Sequence, residues 1–478
     1  MKKLYCISVL LVFATLTSAK AYNFGPEDSD YPYEMEHSGT CGENLTWTLS
    51  ADSVLTVSGS GEMNAVPWEA YCQQIKTVQV LDGITNVGPY AFANCTNLTS
   101  VTLGENVRRI EHNAFEFCEK LTSIDLHTVT EIGHNAFDQC WNLKTVIFGD
   151  SLREIDHQAF RNCDMVTLEL PNTITSIGWG AFRGCINLTS IHFPTNLTGI
   201  EHDTFRGCNF TTLTIPESIT YIDDNAFAGC PKLNAINIPE SVTYIGSYAF
   251  DRCPKLNAIN IPETVTSIGE CAFRGTAWYE SQPNGLVYVG PVAYCYKGKL
   301  EQKTSLQIKD GAISVSPYAF YGLYNLTAVT IPGSVTQIGH MAFEECSDLT
   351  TVYLPQSLQT IGYSAFYNCK SMTDIYIDAV NPPSCESKIL LMNGTIETRN
   401  NLYQTVMLHV PVGTIQAYQT AEEWNSFTHI QEFDPTEISG IQVEEAAPSA
   451  IYDLQGRQLQ QKPSKGMYIQ GGKKVLVK

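Results

Sequence analysis

Positive charge is scarce in this sequence. Its 478 residues include 29 Lys and Arg against 49 Asp and Glu, which gives a formal net charge of −20 at pH 7. Removal of residues 1–21, with their three lysines, would lower the charge to −23. A surface this acidic repels nucleic acids and anionic membranes, so we expect neither as a partner. A large net charge also keeps a protein soluble, and we favour that explanation.

Catalytic motifs and long apolar runs are also missing. After residue 21 no stretch is long and apolar enough to form a transmembrane helix. There is no Gly-x-Ser-x-Gly nucleophile motif, no His-Glu-x-x-His zinc motif and no Gly-x-x-x-x-Gly-Lys phosphate loop. No Cys-x-x-Cys pair offers a zinc site. We therefore expect no enzyme activity, no cofactor and no bound metal.

What the sequence does have is a regular repeat centred on phenylalanine. Successive copies are 22 or 23 residues apart, except for one gap of 47, which is about two periods and indicates an insertion. Alanine precedes every copy but one, where Thr204 stands. The twelve residues are Phe92, Phe115, Phe137, Phe160, Phe182, Phe205, Phe227, Phe250, Phe273, Phe320, Phe343 and Phe366. A period of 20 to 29 residues is typical of a leucine-rich solenoid.

The repeat unit reads L-x-x-V-x-L, then Gly or Pro, then V-x-x-I, then G-x-x-A-F-x-x-C. In one copy Ile236 and Ile238 alternate as in a strand, which Pro239 ends. Val242 and Ile245, three apart, predict a tight turn or a 3₁₀ segment. The A-F-x-x-C part points one face inward at helical spacing. A single unit cannot bury these apolar groups, whereas stacked units can.

The predicted fold is therefore an α/β leucine-rich repeat solenoid, mostly β with short helical or 3₁₀ turns. We expect one parallel strand for each repeat, in a continuous sheet from Ile75 to Ile377.

The unit resembles the leucine-rich repeat of the BspA-like bacterial surface proteins, which reads V-T-x-I-G-x-x-A-F-x-x-C-x-x-L-x-x-V-x-I-P. Residues 265–273 and 335–349 match it almost letter for letter, and the likeness extends over residues 37–433. The resemblance implies a protein displayed on the surface of a member of the Bacteroidota. It also implies adhesion to host extracellular matrix proteins or to other cells.

The N-terminal residues predict export and then a cap. Residues 1–21 read as a signal peptide, with two lysines, an apolar run from Leu4 to Leu16 and a small-x-small cleavage site. Residues 22–36 read as a linker. Residues 37–75 alternate as strands before the first repeat and predict an N-terminal β cap.

The solenoid is predicted to occupy residues 76–433. Near residues 276–306 the usual strand is replaced by two runs around Gly290 and Pro291, which predict a hairpin insertion. Apolar residues at helical spacing from Ile415 to Phe427 predict a C-terminal capping helix.

Residues 434–478 predict a separate small β tail of three short strands. The motifs Y-D-x-x-G-R and G-x-Y-x-x are similar to those in the C-terminal sorting domain of Bacteroidota surface proteins that use type IX export. The expected location is secreted or on the bacterial cell surface.

Ten of the 16 cysteines share one repeat position: Cys95, Cys118, Cys140, Cys163, Cys185, Cys208, Cys230, Cys253, Cys346 and Cys369. Their side chains would point the same way and not at each other, so we interpret this column as apolar core. Five more cysteines follow residue 21 outside the column. Among these, Cys41 with Cys72 and Cys271 with Cys295 are the pairs that export could oxidise. The fifth is Cys385.

Histidine also recurs, three residues before the phenylalanine, at His112, His134, His157, His202 and His340. Such a column could bind metal or respond to pH. No carboxylate accompanies every copy, and we favour a solvated turn position.

The outward strand positions are the predicted binding surface. Small Ser, Thr and Asn dominate there, so a partner could approach closely, although such residues also suit a plain exposed strand. Ile147, His192, Tyr353 and Tyr376 are the larger exceptions. The alternative is a secreted glycan-binding protein that uses the aromatic residues of the insertion. Those residues are Trp278, Tyr288 and Tyr296.

Overall fold

The structure, a computed structural model, describes residues 37–386, 389 and 401–435, and four strands between 451 and 477. The predicted signal peptide (1–21) and linker (22–36) lie outside the described residues. Within the described part, no helix has the length and apolar character needed to cross a membrane.

The N-terminal strands cover the open end of the solenoid. His37–Gly42, Leu45–Leu49 and Val54–Gly59 form an antiparallel meander. The third strand then pairs in parallel with Thr77–Val80, the first strand of the repeat array. The backbone groups at this edge are therefore bonded, which protects the array from pairing with another chain.

Each repeat contributes one long strand to the first side of the solenoid, and neighbouring long strands are parallel. The long strands are Thr77–Val80, Ser100–Leu103, Ser123–Leu126, Thr145–Phe148, Thr167–Glu169, Ser190–His192, Thr212–Thr214, Ala235–Asn237, Ala258–Asn260, Thr304–Gln307, Leu326–Thr330, Thr351–Leu354, Asp374–Ile377, Met407–Pro411 and His429–Phe433.

The V-x-x-I part of each repeat forms a second strand of two residues, where the sequence predicted a tight turn or 3₁₀ segment. These short strands also pair in parallel. They are Asn86–Val87, Arg109–Ile110, Glu131–Ile132, Glu154–Ile155, Ser176–Ile177, Gly199–Ile200, Tyr221–Ile222, Tyr244–Ile245, Ser267–Ile268, Ser314–Val315, Gln337–Ile338, Thr360–Ile361 and Ser384–Cys385. Each repeat gains a second set of inter-repeat backbone bonds in this way.

The A-F-x-x-C part forms the third side and is not helical, which corrects the expectation of helical spacing. Alternate amides donate to the following repeat: Tyr90 to His112 (3.1 Å), Phe92 to Ala114 (2.8 Å) and Asn94 to Glu116 (2.7 Å). A helix would have satisfied these amides within itself. The residues two before and two after the phenylalanine adopt positive φ, as in Tyr90 (55°) and Asn94 (61°). This alternation turns successive amides in opposite directions.

Glycine fits the positive-φ positions best, because it adopts them without a steric cost. Gly184 has φ 74°, and a Cβ on it would lie 2.1 Å from Oδ1 of Asn162 in the previous repeat. Asparagine, which tolerates this conformation better than most residues, fills many of the other copies.

Stacked phenylalanines form the centre of the core. Neighbouring rings from Phe92 to Phe273 have centroids 5.1 to 5.8 Å apart and nearly parallel planes. Trp68 begins the stack at 5.7 Å from Phe92, although the tryptophan belongs to the cap. All these rings are fully buried. Burial of a side chain of this size contributes about 1.5–3 kcal/mol each.

The sheet of long strands is broken into groups, so the expected continuous sheet was wrong. Two of the breaks, after Phe148 and after His192, precede repeats that lack one residue between cysteine and strand. Cys163 and Cys208 stand four residues before their long strands, whereas Cys140 stands five before its own. A missing residue shifts the strand and interrupts its hydrogen bonds.

The insertion divides the core into two clusters. A five-residue helix, Ala277–Ser281, precedes an antiparallel hairpin of Gly285–Val289 and Val292–Lys297. Val292 and Tyr294 pack with the N-terminal cluster and Ala293, between them, with the C-terminal one. The phenylalanine stack stops here, where Tyr294 meets Phe273 edge-on at 5.6 Å.

Two short helices, Asn401–Thr405 and Ile415–Thr420, and the 3₁₀ turn Trp424–Ser426 lie at the C-terminal end of the array. A second 3₁₀ turn, Glu69–Tyr71, lies at the other end, in the cap. The predicted C-terminal helix ends at Thr420, earlier than expected. Tyr418 and Trp424 are nevertheless buried, and they donate hydrogen bonds to the carbonyls of Ala379 and Pro383.

The residues of the tail that the structure describes form four strands, where three were expected. Ile451–Tyr452, Gln458–Leu459, Gly466–Gln470 and Lys473–Val477 form an antiparallel sheet.

Candidate interaction surface

The outward face of the long strands is open over most of its length. Ser, Thr, Asp, Glu and Asn side chains are exposed there from Ser100 to Asn260. Between Thr212 and Asn260 the face has a shallow open depression of about 490 Å³. The side-chain amide nitrogen of Asn260 donates a hydrogen bond to Oδ1 of Asn237, on the neighbouring strand, at 3.2 Å. This part of the face is polar, flat and built from small side chains.

Two of the predicted site residues lie on this exposed part. Ile147 is 53% exposed and stands beside Asp125 of the previous strand. His192 is exposed beside Glu169. The structure brings neither of them together with the other predicted residues.

The C-terminal strands form an aromatic stack instead. Tyr353, Tyr376 and His409 occupy the same register on three adjacent parallel strands. The centroids of Tyr353 and Tyr376 are 5.1 Å apart, and those of Tyr376 and His409 are 4.0 Å apart with planes 6° from parallel. The two tyrosines were predicted to be exposed, but both are half-buried. The reason is that each ring covers a face of its neighbour.

Two further residues hold this stack in place. The ring of Phe433, on the last long strand, meets Tyr376 edge-on at 5.6 Å. Nε2 of His409 lies 2.8 Å from Oδ1 of Asp374. The tyrosines, His409, Phe433 and Asp374 together are called the aromatic stack below. Partial burial raises the pKa of both tyrosines, so their hydroxyls remain hydrogen-bond donors at neutral pH.

Sequence reasoning missed His409 and Phe433. His409 alternates with the buried Leu408 and Val410, a signal that would have identified it as outward. Nothing in the repeat pattern marked His429–Phe433 as a strand, because it lies beyond the last recognisable unit.

The aromatic residues of the insertion pack largely on the protein itself. Trp278 lies 5.1 Å from Phe273, ring to ring. Nζ of Lys309 lies 4.3 Å above the ring of Tyr288, and the Tyr288 hydroxyl accepts a hydrogen bond from the Lys309 amide. Trp278, Tyr288 and Tyr296 are each half-buried. Their rings therefore offer little free face to a sugar.

The histidine column is partly assembled. The rings of His134 and His157 are 6.3 Å apart, and Trp179 continues the row at 5.2 Å from His157. Among the described residues, no group of three or more His, Cys, Asp or Glu is arranged to hold a metal ion.

Exposed apolar residues form a second feature that the sequence did not indicate. Trp141 and Ile186 follow the repeat cysteine and are 49% and 64% exposed, and Val166 is 49% exposed. No regular pattern singled them out, since other repeats have polar residues or proline at these positions.

Paired strands repeating every 22 or 23 residues, with stacked phenylalanines between them, define a leucine-rich repeat solenoid. The model of the BspA type leucine rich repeat region matches residues 70–167, 153–278 and 289–387, which is more than half of the chain. The protein belongs to this family. Proteins built from such repeats use extended solenoid surfaces to bind other proteins.

Solved structures with a similar fold come from several bacteria. A leucine rich cell surface protein from Faecalibacterium prausnitzii A2-165 is 22% identical, and the match covers 73% of this chain and 95% of that one, with a TM-score of 0.34. A leucine-rich repeat protein from Bacteroides ovatus is 19% identical over 85% and 100% of the two chains, with a TM-score of 0.38. The pneumococcal vaccine antigen PcpA is 14% identical over 83% and 98%, with a TM-score of 0.35. No curated protein matches this chain.

Proposed function

We propose that this protein is exported to the bacterial surface and mediates adhesion by binding host extracellular proteins or other cells. In this proposal residues 1–21 direct export and residues 434–478 act as a type IX sorting domain in a member of the Bacteroidota. The binding surface is the outward face of the long strands, and the aromatic stack, at the C-terminal end of this face, makes the main contacts with the partner.

The aromatic stack is the observation that carries the proposal. Tyrosine is enriched at the centres of protein interfaces, because it combines a large rigid ring with a polar hydroxyl. Here two tyrosines stand side by side on a sheet face, supported by His409 and Phe433. Tyr376 is stacked between Tyr353 and His409, so its edge and hydroxyl remain for a partner. This suits protein side chains better than sugars, which stack on free ring faces.

A flat open surface also fits a large partner. The depression between Thr212 and Asn260 is shallow, whereas small-molecule sites are usually concave and enclosed. Small polar side chains along the face would let a partner's backbone approach and form hydrogen bonds. The acidic chain favours partners with basic patches.

Binding of the purified full chain to a panel of host extracellular matrix proteins and glycans tests the proposal. We expect saturable binding to at least one protein, weakened by added salt because charge contributes. Selective binding to glycans would contradict adhesion to proteins. It would favour the alternative, a glycan-binding protein that uses the aromatic residues of the insertion. Binding to none of the panel would remove the support for adhesion.

A further inference from the structure

Two cysteines at the junction of the cap and the first repeat lie sulfur to sulfur. The Sγ atoms of Cys72 and Cys95 are 2.7 Å apart. Cys72 is 7% exposed and Cys95 is fully buried. The two residues lie on successive turns of the solenoid, which stack about 4.8 Å apart, and a disulfide spans Cα separations of about 4.4–6.8 Å.

The thiol of Cys95 has a different hydrogen-bond partner from the later thiols of the column. From Cys118 onwards, each column cysteine donates a hydrogen bond from its thiol to the carbonyl of the phenylalanine one repeat earlier. Examples are Cys118 to Phe92 (3.2 Å) and Cys140 to Phe115 (3.1 Å). Cys95 is the first of the column, and the sulfur of Cys72 is its partner instead.

A shift of one residue explains the contact. A column cysteine stands three residues after its phenylalanine, whereas Cys72 stands four after Trp68, which begins the ring stack. The 3₁₀ turn Glu69–Tyr71 takes up the extra residue. The Cys72 side chain is thereby displaced out of the common direction and meets Cys95.

We propose that Cys72 and Cys95 form a disulfide that ties the N-terminal cap to the first repeat. The expected pair of Cys41 and Cys72 is corrected by this contact, because the Cys72 sulfur faces Cys95. The inference does not depend on what the protein binds, although export would bring the chain to a compartment where disulfides persist.

The oxidant is a low-molecular-weight disulfide, and the exchange occurs in two steps. The Cys72 thiolate attacks one sulfur of the oxidant, forms a mixed disulfide and releases the first small thiolate. The Cys95 sulfur then attacks Cys72 Sγ, forms the protein disulfide and releases the second. Two protein thiols are oxidised, one disulfide is reduced, and the two thiol protons pass to the released thiolates. The Cys95 S–H directed at Cys72 lowers the pKa of Cys72, which favours it as the first nucleophile.

Tryptic mapping under non-reducing conditions tests the proposal on the full chain after incubation with oxidised glutathione. Trypsin cleaves after Lys20, Lys76 and Arg108, so Cys72 lies in the peptide 21–76 with Cys41, and Cys95 is the single cysteine of 77–108. We expect these peptides to be cross-linked and the count of denatured free thiols to fall from 16 to 14. A count that stays at 16 would overturn the proposal.

Two single variants assign the partner. Cys41→Ser should keep the cross-linked peptides, and Cys72→Ser should lose them. A cross-link that survives in Cys72→Ser would assign the bond to Cys41 and overturn the proposal. Circular dichroism of each variant confirms that it is folded. A second digestion of the unaltered chain with a glutamate-specific protease, which cleaves after Glu43 and Glu62, separates Cys41 from Cys72 and identifies the partner of Cys95 even where a variant does not fold.

Discussion

The thiol of Cys118 donates a hydrogen bond to the main-chain carbonyl of Phe92, one repeat earlier, at 3.2 Å. The same carbonyl accepts the amide of Cys95 at 3.1 Å. One oxygen therefore receives an amide from its own turn and a thiol from the next. Eight further copies of this thiol bond follow along the column. The cysteines thus join consecutive repeats and also fill apolar space.

The nine column cysteines from Cys118 onwards should be inert in the native protein. All nine are buried. Burial raises the pKa of seven of them, so those seven hold no thiolate at neutral pH. Labelling with an alkylating reagent should modify few of these thiols in the native chain, and denaturation should make about nine more accessible. Cross-linked peptides among Cys118, Cys140 and Cys163 would contradict this.

Stability should fall at alkaline pH because of the same thiols. Burial raises the pKa of Cys185 from 9.0 to about 12. Below pH 9 the thiol is protonated in both states, so its contribution is fully present. Above pH 9 the unfolded chain loses the proton and the native chain keeps it, so the contribution is lost as pH rises towards 12. The free energy of unfolding should fall by about 1.4 kcal/mol for each pH unit from this residue.

Cys185→Ala isolates that contribution. Denaturant unfolding under a reductant, measured between pH 8 and pH 11, should show a shallower loss of stability for Cys185→Ala than for the unaltered chain. The comparison uses slopes, so any loss of packing in the variant cancels. Identical slopes for the two proteins would mean that Cys185 is not protonated as described.

An ion pair between repeats offers a direct test of the third side. Arg161 donates to both carboxylate oxygens of Asp138, one repeat earlier, at 2.8 and 2.5 Å. Asp138 is fully buried, so Arg161→Met leaves an unpaired carboxylate in the core. We expect a loss of about 3–5 kcal/mol in the free energy of unfolding, measured by denaturant titration.

Arg153→Met is the matched control, because Arg153 is exposed on the same stretch of chain. It should change stability by less than about 0.5 kcal/mol. Adding Asp138→Asn to Arg161→Met should restore part of the loss, since the buried charge is removed. Equal effects of Arg161→Met and Arg153→Met would show that the pair does not stabilise the array.

The period of the repeat predicted the solenoid, because stacking is the one way for such short units to bury phenylalanine and cysteine. It did not predict the third side. The sequence spacing of A-F-x-x-C is compatible with a helix, and only the bonds from residues such as Phe92 to the next repeat distinguish the two structures. Those bonds depend on positive φ at Tyr90 and Asn94, and tyrosine gives no signal for that conformation.

The sequence predicted the position of the tyrosines in the candidate site but not their surroundings. Alternation along a strand places Tyr353 and Tyr376 on the outward face, and register then brings the two rings together. The half-burial of Tyr376 was not predictable from one strand, because His409 and Phe433, which pack against it, come 33 and 57 residues later. Cys72 shows the same limit: one extra residue after Trp68 redirects the thiol, and only the packed structure reveals its partner.

The two tyrosines of the aromatic stack allow a test of the proposed binding surface. Replacing both Tyr353 and Tyr376 by alanine should weaken binding to the protein partner by about 2 kcal/mol, roughly 30-fold in Kd. Because the two rings stack on each other and on His409, the double variant should also lose about 1–3 kcal/mol of stability. Tyr353→Phe with Tyr376→Phe separates the two effects, since it keeps the rings and removes the hydroxyls.

The double variant with phenylalanine at both positions should retain its stability but bind the partner more weakly, because its rings have no hydroxyls to donate hydrogen bonds to the partner. Arg153→Met serves as the control, since Arg153 is exposed and lies outside the long strands. Titration of each variant against an immobilised partner, with thermal unfolding measured in parallel, gives both quantities. If the alanine and phenylalanine pairs both bind as well as the unaltered chain, the aromatic stack is not the binding surface. Trp278, Tyr288 and Tyr296 of the insertion would then be the next residues to replace.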